Sequence, residues 1–145
     1  MKLTNQARMA LTILFALCSV AGFSQQFHIG YSPDEVIGQA NASNGVQISK
    51  RHTQDGELCI SWRNIDMGIE TWVYFHEGVS QSTVIFPFGR EEISQWKTVF
   101  NRKFAKRSPN EWVAYFEGMT LLIDFTYLSS ASSYVFYITQ EKEAP

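Results

Sequence analysis

The sequence predicts an α+β domain: an antiparallel sheet of about seven strands with two helices on one face, in the order αββββαβββ. Three observations lead there. Only two stretches past the first two dozen residues repeat apolar side chains at helical spacing. Around them run short segments rich in Val, Ile, Thr and aromatics, broken by Asp-Gly and Glu-Gly turns. And 145 residues, 45% hydrophobic and 18% charged, support one core rather than two.

The first helix is expected from Pro33 to Ala42. Ser32 suits the N-cap, Pro33 the first helical position, and Glu35 completes a Ser-x-x-Glu capping box. Tyr31 and Val36 are spaced as a hydrophobic staple, Val36, Ile37 and Ala40 face the core, and Asn44-Gly45 offers a left-handed exit. Strands are then expected over Val46–Gln54 and Glu57–Asn64, joined by Asp55-Gly56. Thr71–His76 and Ser82–Phe88 follow, joined through Glu77-Gly78 and closed by Pro87 and Gly89. The second helix runs from about Arg90 to Lys106, with Ile93, Trp96, Val99, Phe100 and Phe104 as its apolar stripe. Glu91 and Glu92 at its start and Lys103, Lys106 and Arg107 at its end complement the dipole, and Ser108-Pro109 ends it. Glu111–Phe116, Met119–Leu128 and Tyr134–Gln140 complete the sheet, with Glu117-Gly118 and a Ser-rich turn between them. Residues 27–140 thus form a single domain, and 141–145 a loose polar tail.

Residues 1–24 read as a secretory signal peptide. Lys2 and Arg8 supply the positive start, Met9–Ala21 the apolar run, and Ala21, Gly22 and Ser24 the small-residue exit, with cleavage near Ser24 or Gln25. The run is short for a membrane span. Phe15-Ala16-Leu17-Cys18 has a loose lipobox form, but Leu17 is too large for the position before the cysteine. Export would leave 10 basic against 14 acidic residues, a net charge of −4, and the single cysteine Cys59. One cysteine makes no internal disulfide, so the core must carry stability. The expected location is periplasmic or extracellular, with no integral membrane segment after cleavage.

The element order suggests tandem αβββ units with one extra strand bridging them. Trp72-Val73-Tyr74-Phe75-His76-Glu77-Gly78 and Trp112-Val113-Ala114-Tyr115-Phe116-Glu117-Gly118 share Trp-Val and Glu-Gly at equal spacing. Such tandem units behind an export signal resemble the small exported domains of β-lactamase-inhibitor-protein and outer-membrane-assembly-lipoprotein type. Ser32-Pro33-Asp34-Glu35-Val36-Ile37-Gly38 is similar to the helix start that opens such units. The resemblance implies a non-catalytic domain built for protein contact and assigns no individual residue.

Catalytic constellations are scarce. His28, His52 and His76 form no His-x-His or zinc-ligand spacing, so no metal or cofactor is expected. Ser94-Gln95-Trp96-Lys97 matches Ser-x-x-Lys without its companion motifs. Cys59 lies in a strand pattern that reads as packing. Asp124 alternates with Leu121, Ile123, Phe125 and Tyr127 and so belongs to the opposite, wetter side of its strand. The cations Lys97, Arg102, Lys103, Lys106 and Arg107 flank an apolar stripe on a solvated helix face, and the net charge is negative. Nucleic acid is therefore not an expected partner.

Aromatic residues reach 14%, with 11 Phe, 6 Tyr and 4 Trp, and they fall on both parities of the strands. Trp72 and Tyr74 oppose Val73 and Phe75; Phe86 and Phe88 oppose Ile85; Tyr134 and Phe136 oppose Val135 and Tyr137. Two helices cover only one face of such a sheet. The expected function is an exported, non-catalytic module that binds a protein partner on the helix-free face, with Trp62, Trp72, Tyr74, Trp112 and Tyr137 as anchors. The alternatives are a carrier of a small apolar ligand between sheet and helices, an envelope enzyme using Cys59 or His76, or a sheet buried by strong curl or by a homodimer.

Overall fold

Alternating apolar residues in the strand segments and one apolar stripe on each helix leave a single economical arrangement, helices packed on one side of a sheet. The computed structural model describes residues 27–42 and 46–142; the signal-peptide reading, the Asn44-Gly45 exit and the last three tail residues lie outside them. Helix α1 spans Pro33–Asn41 and is followed by strands β1 (Ile48–His52), β2 (Leu58–Asn64), β3 (Ile69–His76) and β4 (Val79–Pro87). Helix α2 spans Arg90–Lys103 and is followed by β5 (Ala105–Ser108), β6 (Glu111–Phe116), β7 (Met119–Leu128) and β8 (Ser133–Gln140).

All eight strands form one antiparallel sheet in the order β1-β2-β3-β4-β8-β7-β6-β5. The fold class is as expected, with one strand more. The added strand is β5, and it changes the repeat: two αββββ units meet at β4 and β8, with no bridging strand. The expected second helix absorbed Lys106, but α2 ends at Phe104, which turns extended. Good helix formers continue past that point, so local preference does not stop the helix. Pairing of Ala105 with Val113 and Lys106 with Trp112 does. The Trp-Val…Glu-Gly match relates β3 to β6, the third strand of one unit to the second of the other. It marks two similar hairpins, not the structural repeat. Even their turns differ: Glu77 and Gly78 both have positive φ, whereas only Gly118 does in the other.

Two clusters fill the helix side. Between α1 and the sheet Val36, Ala40, Ile60, Trp62, Val73 and Phe75 pack together, and Tyr31 packs against this cluster. Under α2 lie Phe100, Trp112, Leu121, Ile123, Phe136 and Ile138 with their neighbours. The segment entering α1 bridges the clusters. Phe27 is fully buried against Phe100 and Phe104, while His28 meets Trp62 edge-on and hydrogen-bonds Gln39 at 2.6 Å. Thr83 Oγ1 donates to the Phe27 carbonyl, and Gly30 and Ser80 join the segment to β4. The tail is less loose than expected, because the Glu141 amide donates to the Thr120 carbonyl and its carboxylate pairs with Arg107. Among the described residues no helix is long and apolar enough to cross a membrane.

Candidate functional site: the helix-free face of the sheet

A strand sends alternate side chains to opposite faces, so register decides which residues share the side away from the helices. One transverse row there is Ser49, Ser61, Trp72, Val84, Tyr137, Asp124 and Glu111. The next is Arg51, Cys59, Tyr74, Ser82, Thr139, Leu122 and Val113. Arg63 and Glu70 pair at the other end of the first half.

Of the five expected anchors, three occupy this face. Trp72 and Tyr74 are half-buried and Tyr137 is 38% exposed. Trp62 and Trp112 are corrections. Trp62 is in phase with Leu58 and Ile60, and Trp112 with Ala114, so both point under the helices and are 6% and 0% exposed. Trp112 donates its Nε1 proton to Asn101 Oδ1 of α2 at 2.8 Å. A buried indole with a satisfied N–H is a core residue.

The face is a mosaic of aromatic rings and charge. The Arg51 guanidinium lies over Trp72 at 3.8 Å, and Trp72 packs on Phe86 with ring centroids 4.6 Å apart. Trp72 Nε1 donates to Glu70 Oε1 at 2.7 Å, while Arg63 Nε lies 3.5 Å from Glu70 Oε2 and its guanidinium 5.0 Å from the Phe88 ring. Val84, Val135 and Cys59 are buried although no helix covers this side. Val84 is flanked directly by Trp72 and Tyr137, so large neighbours roof the small residues. Arg51, Arg63 and Glu70 escaped the sequence reading. Counting by two from Trp72 along β3 would have found Glu70.

The two halves differ in electrostatics. On the β1–β4 half of this face Arg51 has a ring beside it and Arg63 a ring and an acid. On the β5–β8 half Glu111 faces Asp124 directly across β6 and β7. Burial and the neighbouring Glu111 charge raise the Asp124 carboxyl above its ordinary value. No cation lies within ion-pair distance of either acid among the described residues. Arg107, nearby on β5, is committed to Glu141 at 3.4 Å.

Cys59 and His76 lie on neighbouring strands of the same face, and the hydrogen bond of His76 is to Glu57 rather than to the thiol. Burial pushes the Cys59 thiol up and so favours the poorly nucleophilic protonated form, and Arg51 offsets this only in part. At the far end of the sheet an open depression of about 940 Å³ is lined by residues that include Glu57, His76, Ser82, Met119, Tyr137 and Lys142. His76 Nδ1 lies 2.5 Å from Glu57 Oε1, which raises the imidazole above its ordinary value. Its other nitrogen faces Glu77 at 3.9 Å rather than a hydroxyl or thiol. No group of three or more metal-capable side chains occurs among the described residues. Lys97 packs on Phe125 at 4.0 Å and bonds Asn110 Oδ1 at 3.2 Å, so the Ser-x-x-Lys lysine serves packing. Comparison of the chain with protein families, with curated proteins and with solved structures finds no match.

Proposed function

We propose that this chain is an exported, non-catalytic binding module whose contact surface for a protein partner is the helix-free face of the sheet. The observation that carries the proposal is the row Trp72–Val84–Tyr137–Asp124–Glu111. It is an aromatic and apolar centre continuous with two uncompensated carboxylates. Rings that are half-buried before any partner arrives lose little side-chain freedom on binding, and such residues anchor protein interfaces. The signal-peptide pattern of residues 1–24 supports export. The carrier alternative needs room between sheet and helices, and Phe27, Phe100, Trp112 and Phe136 occupy that space. The enzyme alternative needs a nucleophile beside His76, whose neighbours are Glu57 and Glu77.

The test is site-specific photocrosslinking in the exporting cell. A photoreactive phenylalanine analogue replaces Tyr137 in one strain and Arg102, on the wet side of α2, in another. An adduct with a polypeptide is expected from position 137 and none from 102. Equal adducts from both positions, or none from 137, would overturn the reading.

A further inference from the structure

We infer that the partner on the helix-free face is a second copy of this chain, stacked sheet on sheet about a two-fold axis parallel to the strands and passing between β4 and β8. The inference rests on the contact-surface reading above and names its occupant. Its warrant is self-complementary charge. Such an axis exchanges the two halves of the face, so that β3 of one copy lies over β7 of the other. The Arg51 guanidinium, held over Trp72 of β3, then faces Asp124 of the other copy, which shares the transverse row of Trp72. Arg63 of β2 comes above β6, on the side of Glu111.

The groups suit each other. A cation–π contact uses the flat face of the guanidinium, and of its five in-plane N–H donors only some are directed at Cys59 and Tyr74, which leaves others for a carboxylate. Asp124 and Glu111 have no cation of their own among the described residues, and their mutual repulsion is relieved by one brought from outside. Trp72 and Tyr137 lie beside the axis and supply the aromatic centre over the buried Val84. The alternative two-fold axis, perpendicular to the strands, would set Arg51 near Arg51 and Asp124 near Asp124, so charge selects one of the two arrangements. Shape agrees, because two sheets of identical twist stack face to face with their strands nearly aligned. Eight strands at about 4.8 Å spacing and some five residues deep present roughly 650 Å² per copy. That approaches the ~800 Å² per partner of a standard interface.

The test is analytical ultracentrifugation of the purified chain, of Arg51→Glu, of Asp124→Arg and of an equimolar mixture of the two variants. The wild type is expected to sediment as a dimer. Each variant alone should self-associate on the order of 100-fold more weakly, because the two-fold axis places every changed contact twice. The mixture should recover the dimer. In it the two changed side chains face each other with opposite charges at one contact, while the native Arg51–Asp124 pair remains at the second. Recovery also shows that both variants fold. A monomeric wild type, or a mixture no tighter than its components, overturns the second-copy inference. In that case a crosslink from position 137 to a different polypeptide leaves the contact-surface reading standing, and the absence of any crosslink ends both.

Discussion

The two αββββ units are built to one topology and hold their helices by different means. Helix α1 has nine residues and a complete set of local instructions. Ser32 accepts from the Glu35 amide, Glu35 accepts from the Ser32 amide, Pro33 opens the first turn, and Asp34 and Glu35 meet the dipole. Its buried contribution is modest, Val36 and Ala40. Helix α2 has 14 residues, begins at Gly89 with no side-chain cap, and buries only Phe100 completely. Around that ring stand Phe27, Trp96, Phe104, Trp112 and Phe136, with centroids between 5.2 and 6.2 Å away. One helix is specified by its own ends, and the other by what it lands on. A short helix has little surface to bury, so its caps matter more; a long one with a central aromatic can do without them.

The contrast is most easily broken at Phe100. Phe100→Ala removes the hub of five ring contacts and is expected to cost about 3–5 kcal/mol, read by denaturant unfolding. The corresponding change under α1, Ile60→Ala, should cost about 2–3 kcal/mol, because the partly buried Ile37, Ile48 and Leu58 beside it can relax toward the gap. Equal costs in the two units would contradict the idea that α2 alone depends on an aromatic hub.

Capping sharpens the comparison from the other side. Ser32→Ala should cost about 1 kcal/mol by losing the box. Gly89→Ser places a serine three residues before Glu92 and so transplants the α1 cap onto α2. The glycine is extended there, with φ −165°, and a Cβ would meet only the flexible Glu92 carboxylate at 3.2 Å. A gain of a few tenths of a kcal/mol is expected in thermal unfolding. A large gain would mean that α2 is limited by its end and not by its packing.

The segment joining the two cores carries a pH signature. Burial lowers the His28 imidazole below its ordinary value of 6.5, and the Gln39 hydrogen bond only partly opposes this. The unfolded chain therefore binds a proton first as pH falls. Stability should be intact above about pH 6.5 and decline below it, toward the lowered folded value. His28→Asn keeps a residue tolerant of the positive φ of 54° and should flatten that decline in a series of melts across pH. His76 has the opposite sign, since its raised value favours the folded state at low pH and the advantage is lost as pH rises through it. It is exposed to solvent, so its share is screened and small.

Legibility in the sequence followed the range of the interactions. The capping box and the spans Glu111–Phe116 and Met119–Leu128 were readable to the residue, because each is set by neighbours along the chain. The first hairpin was placed correctly at Asp55-Gly56, but its strands end at His52 and restart at Leu58. The two-residue turn expected there is a five-residue loop closed between Thr53 and Glu57. Period-two alternation put Asp124 on the correct face. The same rule was available for Trp62 and Trp112, and aromatic identity outweighed it. Had the phase been counted from Ile60 and Ala114, both would have gone to the core. The candidate surface was half visible: its rings were named, while Arg51, Arg63 and Glu70 were not, since their roles arise only when β1, β2 and β3 lie side by side.

By itself the sequence determined the class of the fold, the bounds of β6 and β7 and the alternation along the strands it identified, all consequences of short-range sterics and of burying one stripe or one face. Tertiary structure alone decided that Phe104 ends α2, that β5 completes a second αββββ unit, and that β4 joins β8. Pairing energy between distant strands exceeds the weak local preference for continuing a helix. No residue's own neighbours along the chain announce which edge it will meet.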